Sequence, residues 1–361
     1  MECVFGIKIE DKKEQRGVKE HMREKISILL LVLCLFAVGC SNQDVRKDME
    51  QIEVTSKPAT EQEEKPINKQ GEEDEIGYGY RNISPNTVME VFEYNGEPIE
   101  IPYYLSVRMA TGHDVGFVIF IGGVQQEYSI IYADGTVSDK GRMHLFPLDE
   151  RKEEEFTICV EPNIGKAGEK LGIYMCSIIY PSFQPESEAE PSYQYFGQLG
   201  QNSPQQVKFN VDAERKKYDF AQTENGQKIP KDLLELYDIY DTKSLKSLDG
   251  FASIEFYEIE REEAYMKAKN GKLSLNLDVF GGVQRKYYVT VYINHQPVLV
   301  DGKDMIEVDL EKNTMSTYKF DLDVSEYGEY STIYAILVPA DESYLDAAQV
   351  CISGSKLVVN K

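Results

Sequence analysis

Residues 99–109 read I-E-I-P-Y-Y-L-S-V-R-M. Ile99, Ile101, Tyr103, Leu105, Val107 and Met109 alternate with Glu100, Pro102, Tyr104, Ser106 and Arg108. Successive side chains of an extended chain point to opposite faces, so this period of two predicts a strand with one buried face. Similar runs follow: VGFVIFI at 115–121, EYSIIY at 127–132, EFTICVEP at 155–162, GIYMCSIIYP at 172–181 and QQVKFNV at 205–211. Turn-forming stretches separate them, among them ADG (133–135), SDKG (138–141), PNIGKAG (162–168) and QNSP (201–204). Short strands at this spacing predict an all-β sandwich. No long amphipathic helix alternates with them, which argues against a parallel α/β sheet.

The second half has the same texture. KLSLNLDVF (272–280) places Leu273, Leu275, Leu277 and Val279 on one face, and YYVTVYI (287–293) does the same with Val289, Val291 and Ile293. MIEVDL, YKFDLDV and YSTIYAILVP follow. A motif links the halves: FIGGVQQEY at 120–128 and VFGGVQRKYY at 279–288. Gly122 and Gly281 are 159 residues apart, and Pro181 and Pro339 are 158 apart. The near-constant offset predicts two tandem copies of one domain.

Within the motif, Gly122-Gly123 and Gly281-Gly282 are the residues of a tight two-residue hairpin, because glycine reaches positive φ without steric cost. Val124 with Tyr128, and Val283 with Tyr287, then fall on one strand face and are expected in the core. Gln126-Glu127 and Arg285-Lys286 differ in charge and are expected to be exposed. The shared residues are those a turn needs, so the motif reads as scaffold built twice.

Residues 214–250 separate the copies. Pro230 suits the first turn of a helix, with Leu233, Leu236, Tyr237 and Tyr240 on one face. The copies differ most after their apolar strand, where the first carries the long insert PSFQPESEAEPSYQYFGQLGQNSPQQ. Phe183, Tyr193, Tyr195 and Phe196 stand there among polar residues, the composition of a contact loop.

The chain has 361 residues, 42% hydrophobic, with 24 Tyr, no Trp and a net charge of −23. Such acidity repels phosphate backbones, so nucleic acid is not an expected partner. Arg23 and Lys25 precede the apolar run ISILLLVLCLFAV at 26–38, which ends at Gly39-Cys40. That is a charged segment, an apolar core and a small residue, the grammar of a signal peptide, and the run falls short of the ~20 apolar residues of a membrane span. The sequence A-V-G-C at 37–40 resembles the lipobox of bacterial lipoproteins. The resemblance covers residues 22–40 and implies a diacylglycerol on Cys40, with cleavage before it. Two acyl chains anchor stably where one is marginal. Residues 1–21 do not suit a signal peptide, so Met22 is the expected start. Residues 41–77 contain no aromatic residue and eleven acidic against five basic side chains. They read as a disordered acidic stalk.

Catalytic signals are weak. His21, His113, His144 and His295 are scattered, with no zinc-binding spacing and no serine-nucleophile motif nearby. Asp134 and Asp139 lack the alternating oxygens of a calcium loop. Neither a metal nor a cofactor is expected. Cys159 and Cys176, on successive apolar strands, are candidates for one disulfide, with free buried thiols as the alternative.

The domain reading is therefore a leader and signal peptide at 1–39, the lipidated Cys40 and stalk at 40–77, one sandwich at 78–213, a linker with a short helix at 214–250, and a second sandwich at 251–361. The two bodies resemble tandem immunoglobulin-like β-sandwiches at the level of fold alone, which transfers no functional residue. The expected function is a non-enzymatic surface lipoprotein on the outer face of the bacterial cell membrane. It would touch the bilayer through its acylated cysteine and bind a protein or wall polymer. The alternatives are an accessory lipoprotein of a transporter or secretion complex, and an envelope enzyme acting on glycans.

Overall fold

The computed structural model describes residues 6–7, 74–81, 91–107, 112–188 and 205–361, apart from 214–215, 238, 240–244, 246–247, 260–264, 342–349 and 354. The signal peptide, Cys40 and nearly all of the stalk lie outside these residues. No helix among the described residues is long and apolar enough to cross a membrane. Residues Asp74–Lys361 belong to one compact unit. It is all-β apart from one short helix, and its four sheets form two sandwiches.

The first sandwich contains β1 (Asp74–Tyr80), β2 (Val91–Tyr94), β3 (Ile99–Val107), β4 (Asp114–Ile121), β5 (Val124–Gln125), β6 (Tyr128–Tyr132), β7 (His144–Pro147), β8 (Lys152–Val160), β9 (Lys170–Ile179) and β10 (Gln205–Phe209). One sheet has the order β1-β3-β8-β6; the other runs β2-β10-β9-β4-β5, with β7 also beside β4. The alternation read at 99–107 is realised residue by residue: Ile99, Ile101, Tyr103, Leu105 and Val107 are buried while the residues between them are not. They meet Val115, Phe117, Ile119 and Ile121 of the facing sheet, together with Ile173, Met175, Val207 and Phe209. Phe117 makes edge contacts with Tyr78, Tyr103 and Phe146 at the centre of this core.

The segment between the copies supplies β11 (Phe220–Gln222), β12 (Glu224–Gln227) and helix α1 (Lys231–Leu236). The second sandwich contains β13 (Ala252–Tyr257), β14 (Tyr265–Lys267), β15 (Lys272–Gly281), β16 (Arg285–Ile293), β17 (Gln296–Val298), β18 (Met305–Leu310), β19 (Thr314–Asp323), β20 (Tyr330–Pro339), β21 (Cys351–Ile352) and β22 (Lys356–Val359). Its sheets run β12-β19-β15-β13 and β11-β18-β16-β20-β22-β14, with β17 beside β16 and β21 beside β20. The expected linker is thus woven into the second sandwich: β11 extends one sheet and β12 the other. Helix α1 forms, but Pro230 sits just ahead of it in an extended conformation rather than in its first turn. Leu233 and Leu234 are its buried residues, and they pack with Phe280, Met315 and Leu248 on the outside of the β15 sheet.

The two sandwiches share a strand plan. In each, a short early strand (β2 or β14) runs parallel to the last strand (β10 or β22). In each, the long third strand (β3 or β15) lies in the sheet opposite its successor (β4 or β16). This plan corrects the reading of the repeated motif. Gly122 and Gly123, with φ of 53° and 81°, form a two-residue turn closing Ile121 onto Val124, as expected. Gly281 and Gly282 do not form a hairpin, because β15 and β16 lie in different sheets. The chain crosses the sandwich there, and neither glycine has positive φ. They are small because another segment passes close: a Cβ on Gly281 would lie 2.2 Å from the Phe251 carbonyl oxygen, and one on Gly282 2.2 Å from that of Leu248. The structural counterpart of Gly122-Gly123 is Asn294-His295, also at positive φ, which closes Ile293 onto Gln296. From Gly122 to Asn294 the shift is 172 residues, so the repeated Gly-Gly motif is out of phase with the fold by one strand, whereas the offset of Pro181 and Pro339 agrees with the equivalence of β9 and β20.

Gly123 has a further constraint, since a Cβ there would meet the Tyr288 ring at 2.7 Å. At Gly135, φ is 84° and an added Cβ would meet nothing within 4 Å. Gly135→Ala should therefore cost only the left-handed backbone strain, about 1–2 kcal/mol. Gly123→Val adds overpacking to that strain and should cost about 2–5 kcal/mol. The urea midpoints of the two variants check the order.

Candidate interaction surface

The outward face of β4 and β9 presents Val118, Phe120, Tyr174, Cys176 and Ile178, and that of β16 and β20 presents Tyr292, Tyr334, Ile336 and Val338. These residues form one buried apolar cluster, so the sandwiches pack face to face. Tyr292 and Tyr334 stack with ring centroids 5.1 Å apart and planes 8° from parallel. The Tyr292 hydroxyl donates to Gln125 Oε1 at 3.0 Å, a bond from one sandwich to the other. Gln125 in turn donates to the Arg142 carbonyl. The shared glutamine of the motif therefore bridges domains in its first occurrence, while Gln284 is exposed. Gln126, expected at the surface, is buried: it donates to the Val124 carbonyl and accepts from the Asn163 amide. Arg285 was also expected outside. Its side chain is 7% exposed and pairs with Asp341.

Along the rim of this junction runs a row of rings. His113 stacks on Tyr180 at 3.9 Å, and Tyr180 lies 5.4 Å from Phe183. Phe183 packs against Leu357 and Val359 of the second sandwich, as does Tyr330. Lys361 sits over the Tyr330 ring at 4.9 Å and Lys267 over the Tyr265 ring at 5.1 Å. Glu188 reaches Lys267 at 3.8 Å and Lys361 at 3.6 Å. His113 and Tyr265 are exposed; Tyr180, Phe183 and Tyr330 are half-buried.

Two short segments hold the row. Tyr180 has φ of 54°, a left-handed conformation that costs a bulky residue roughly 1–3 kcal/mol. It is held there by its amide, which donates to the Asp114 carbonyl at 2.7 Å, while the Ser182 hydroxyl donates to the Asp114 carboxylate at 2.8 Å. Asp114 thus ties the start of the insert to the first sandwich, and Phe183 and Glu188 carry it onto the second. Of the expected contact loop, Phe183 is an interdomain contact, and Tyr193, Tyr195 and Phe196 lie outside the described residues. Tyr330 and Tyr265 were missed because each opens a strand, where an aromatic residue reads as core. Their strand parity is the available signal, since it places them with the outward-facing Tyr334 and opposite the core residues Ile333 and Met266.

Ser182, Asp114 and His113 lie near one another, but the serine hydroxyl is bonded to the carboxylate. Glu255 and Asp278 face each other across β13 and β15. Tyr237 donates to Glu255, and Tyr257 and Thr317 each donate to Asp278 at 2.8 Å. Because Tyr237 follows α1 directly, this network fastens the helix to the sheet. Asp134 accepts from the Thr136 amide and hydroxyl at a hairpin tip. Among the described residues no three His, Cys, Asp or Glu side chains converge as metal ligands.

The candidate disulfide is not formed. Cys159 and Cys176 are free, and they lie in opposite sheets. The first points out of the sandwich beside Glu100 and Ser129, and the second points into the interdomain cluster. Consecutive strands β8 and β9 cross between sheets, so neighbours in sequence are not neighbours in the ladder. Burial pushes the Cys176 thiol far up from its usual range. Cys176 should therefore resist a thiol reagent in the native protein. In denaturant without reductant, Cys159, Cys176 and Cys351 should all label; mass spectrometry of the labelled peptides checks this.

No protein-family model matches the sequence, and no curated protein matches it. Among solved structures the chain is similar to CBD12 from CALX1.2, at 12% identity and a TM-score of 0.18, covering 75% of this chain and 97% of that one. It is similar to the CsuC–CsuE chaperone–tip adhesion subunit complex of Acinetobacter baumannii, at 10% identity and a TM-score of 0.18, covering 76% and 97%. A third likeness is to the C-terminal domain of the AgI/II polypeptide BspA of Streptococcus agalactiae, at 5% identity and a TM-score of 0.20, covering 75% and 95%. Likenesses at this level carry no argument about function, which rests on the chain's own residues.

Proposed function

We propose that this protein is a lipid-anchored envelope protein whose two joined sandwiches form a non-catalytic binding body for a protein or cell-wall polymer. Diacylglycerol on Cys40 holds it at the outer face of a bacterial membrane, and the acidic stalk carries the body away from the headgroups. The observation that carries the binding reading is the row of rings along the junction. Aromatic side chains offer large rigid contact area at low entropy cost, and Tyr is enriched among residues that dominate binding energy. The row spans both sandwiches, so it presents one continuous surface only while they are joined. The Lys267 and Lys361 ammonium groups, each over a tyrosine ring, add donors for hydroxyl or carboxylate groups of a partner.

Two experiments test the parts separately. The mature protein should begin at Cys40 and carry the acyl mass on its N-terminal peptide, and Cys40→Ala should remove that mass and leave the leader uncleaved. An unmodified Cys40 peptide in the unaltered protein defeats the anchor reading. For the surface, the double variant Tyr265→Ala, Tyr330→Ala should weaken binding to a purified native envelope fraction at least about tenfold, the scale of a strong contact residue. Its unfolding midpoint serves as the folding control. Undiminished binding would move the contact site elsewhere on the body.

A further inference from the structure

On the face of the β15 sheet that carries α1, four strands bring a hydroxyl, a carboxylate and a carboxamide together. The Thr317 hydroxyl of β19 donates to Asp278 Oδ1 of β15 at 2.8 Å, and the two residues are 8% and 1% exposed. The Tyr257 hydroxyl of β13 donates to Asp278 Oδ2 at 2.8 Å and fixes the carboxylate in place. From β12, on the other side of β19, Gln227 brings its Oε1 to 3.4 Å from Thr317 Oγ1. Gln227 Nε2 donates to Glu224 Oε2 at 3.2 Å. A hydroxyl has one proton, and the shorter bond to the carboxylate takes it, which leaves lone pairs of Oγ1 towards the carboxamide. An irregular register makes this meeting possible. Glu224 opposes Thr317 and Gln227 opposes Met315, so β12 carries one extra residue there. In a regular ladder Gln227 would oppose Thr314 and point to the other face. The bulge, with Gly226 at φ of 72°, turns it onto the face of Thr317.

We propose that Thr317 Oγ1 attacks Gln227 Cδ and forms an ester that ties β12 covalently to β19. Nucleophile, base and base-orienting group stand in the order that activates a hydroxyl. Asp278 takes the Thr317 proton as the O–C bond forms. The C–N bond then breaks, and the nitrogen leaves as ammonia with that proton. One hydroxyl and one carboxamide thus become one ester and one ammonia, with no co-reactant. Glu224 holds the departing nitrogen, and Gln227 is half-buried, so ammonia has a way out. The carbon attacked is one C=O bond beyond the 3.4 Å contact, within reach of a rotation of the Gln227 side chain. A carboxamide resists hydroxyl groups in water, but a held intramolecular approach removes much of that barrier. The reaction needs to occur only once in each molecule. Its product would keep β12, an outer strand formed by the segment between the sandwiches, from peeling off the second one. This reading stands apart from the aromatic row and does not depend on it.

The test is mass spectrometry of tryptic peptides from the full chain, purified in detergent and held at neutral pH until its mass is constant. The unaltered protein should yield peptides 218–228 and 313–319 joined, lighter than the pair by one ammonia. Mild alkali should separate them, with Gln227 recovered as glutamate. Thr317→Val and Gln227→Glu should each abolish the joined species. Asp278→Asn keeps both reacting groups and should slow its appearance at least about a hundredfold, the scale of a general base. The urea midpoint of each variant checks that it folds, and Gln227→Glu alters only a half-buried side chain. Recovery of the two peptides solely as separate species at their sequence masses would overturn the proposal without reference to any variant. A joined species that survives alkali, or persists in Thr317→Val, would place the link elsewhere and overturn it as well. An unchanged rate in Asp278→Asn would overturn the assignment of the base.

Discussion

The packing of the β4–β9 face on the β16–β20 face is the contact on which the rest of this protein depends. Each sheet must bury its inward side to exist, and a sandwich does that by itself. Here the outward sides of two sheets are apolar as well. β4 and β9 are therefore buried on both faces: β4 is buried throughout, and β9 at every residue from Gly172 to Ile178. Left open, such a surface would be an association liability. Closing it fixes the relative position of the halves, and the aromatic row on the rim becomes a single feature. The Gly122-Gly123 turn lies against Tyr288 and Ala340 at the edge of this contact. Its glycines answer to two demands at once, backbone conformation and the neighbouring domain.

Much of the fold was legible in the sequence because its elements follow a local rule. Strands with one buried side, such as 99–107 and 272–280, announce themselves by alternation. Doubly buried strands such as VGFVIFI also announce themselves, as unbroken apolar runs. What such a run conceals is the identity of what covers its second face. The interdomain packing was invisible for that reason. The exposure of Gln126 and Arg285 was misjudged for a different one: both fall at strand ends, where parity no longer decides.

The repeated motif shows the opposite failure. Gly-Gly-Val-Gln-x-x-Tyr recurs because two different demands, a tight turn and a crowded crossing, select the same small residues. Val124, Tyr128, Val283 and Tyr287 are all buried, but Val124 and Tyr128 stand on separate strands in opposite sheets rather than on one face of one strand, as their spacing had implied. The motif nevertheless marks different strands in the two halves. The true equivalence, Gly122-Gly123 with Asn294-His295, shares no residue identity and only a sign of φ. The disulfide reading failed on a related point: a chain that crosses between sheets places consecutive strands apart. The aromatic row was half legible. Phe183 stood out in a polar insert, whereas Tyr265 and Tyr330 were hidden inside ordinary strand starts.

The placing of β11 and β12 bears on where this protein can be divided. A boundary at residue 250 follows the texture of the sequence, yet the segment before it pairs with both sheets of the second sandwich and lays a helix against one of them. Cutting there would strip an outer strand from each sheet and uncover Phe280 and Met315. The inheritable module is longer than the visible repeat and begins near Asp219, whose backbone already bonds to Asp304. Recombination that treated the halves as equal beads would yield a second bead with two raw edges. The first keeps a backbone bond as far on as Lys216, the second cannot begin at 251, and the two halves differ in the part that joins them.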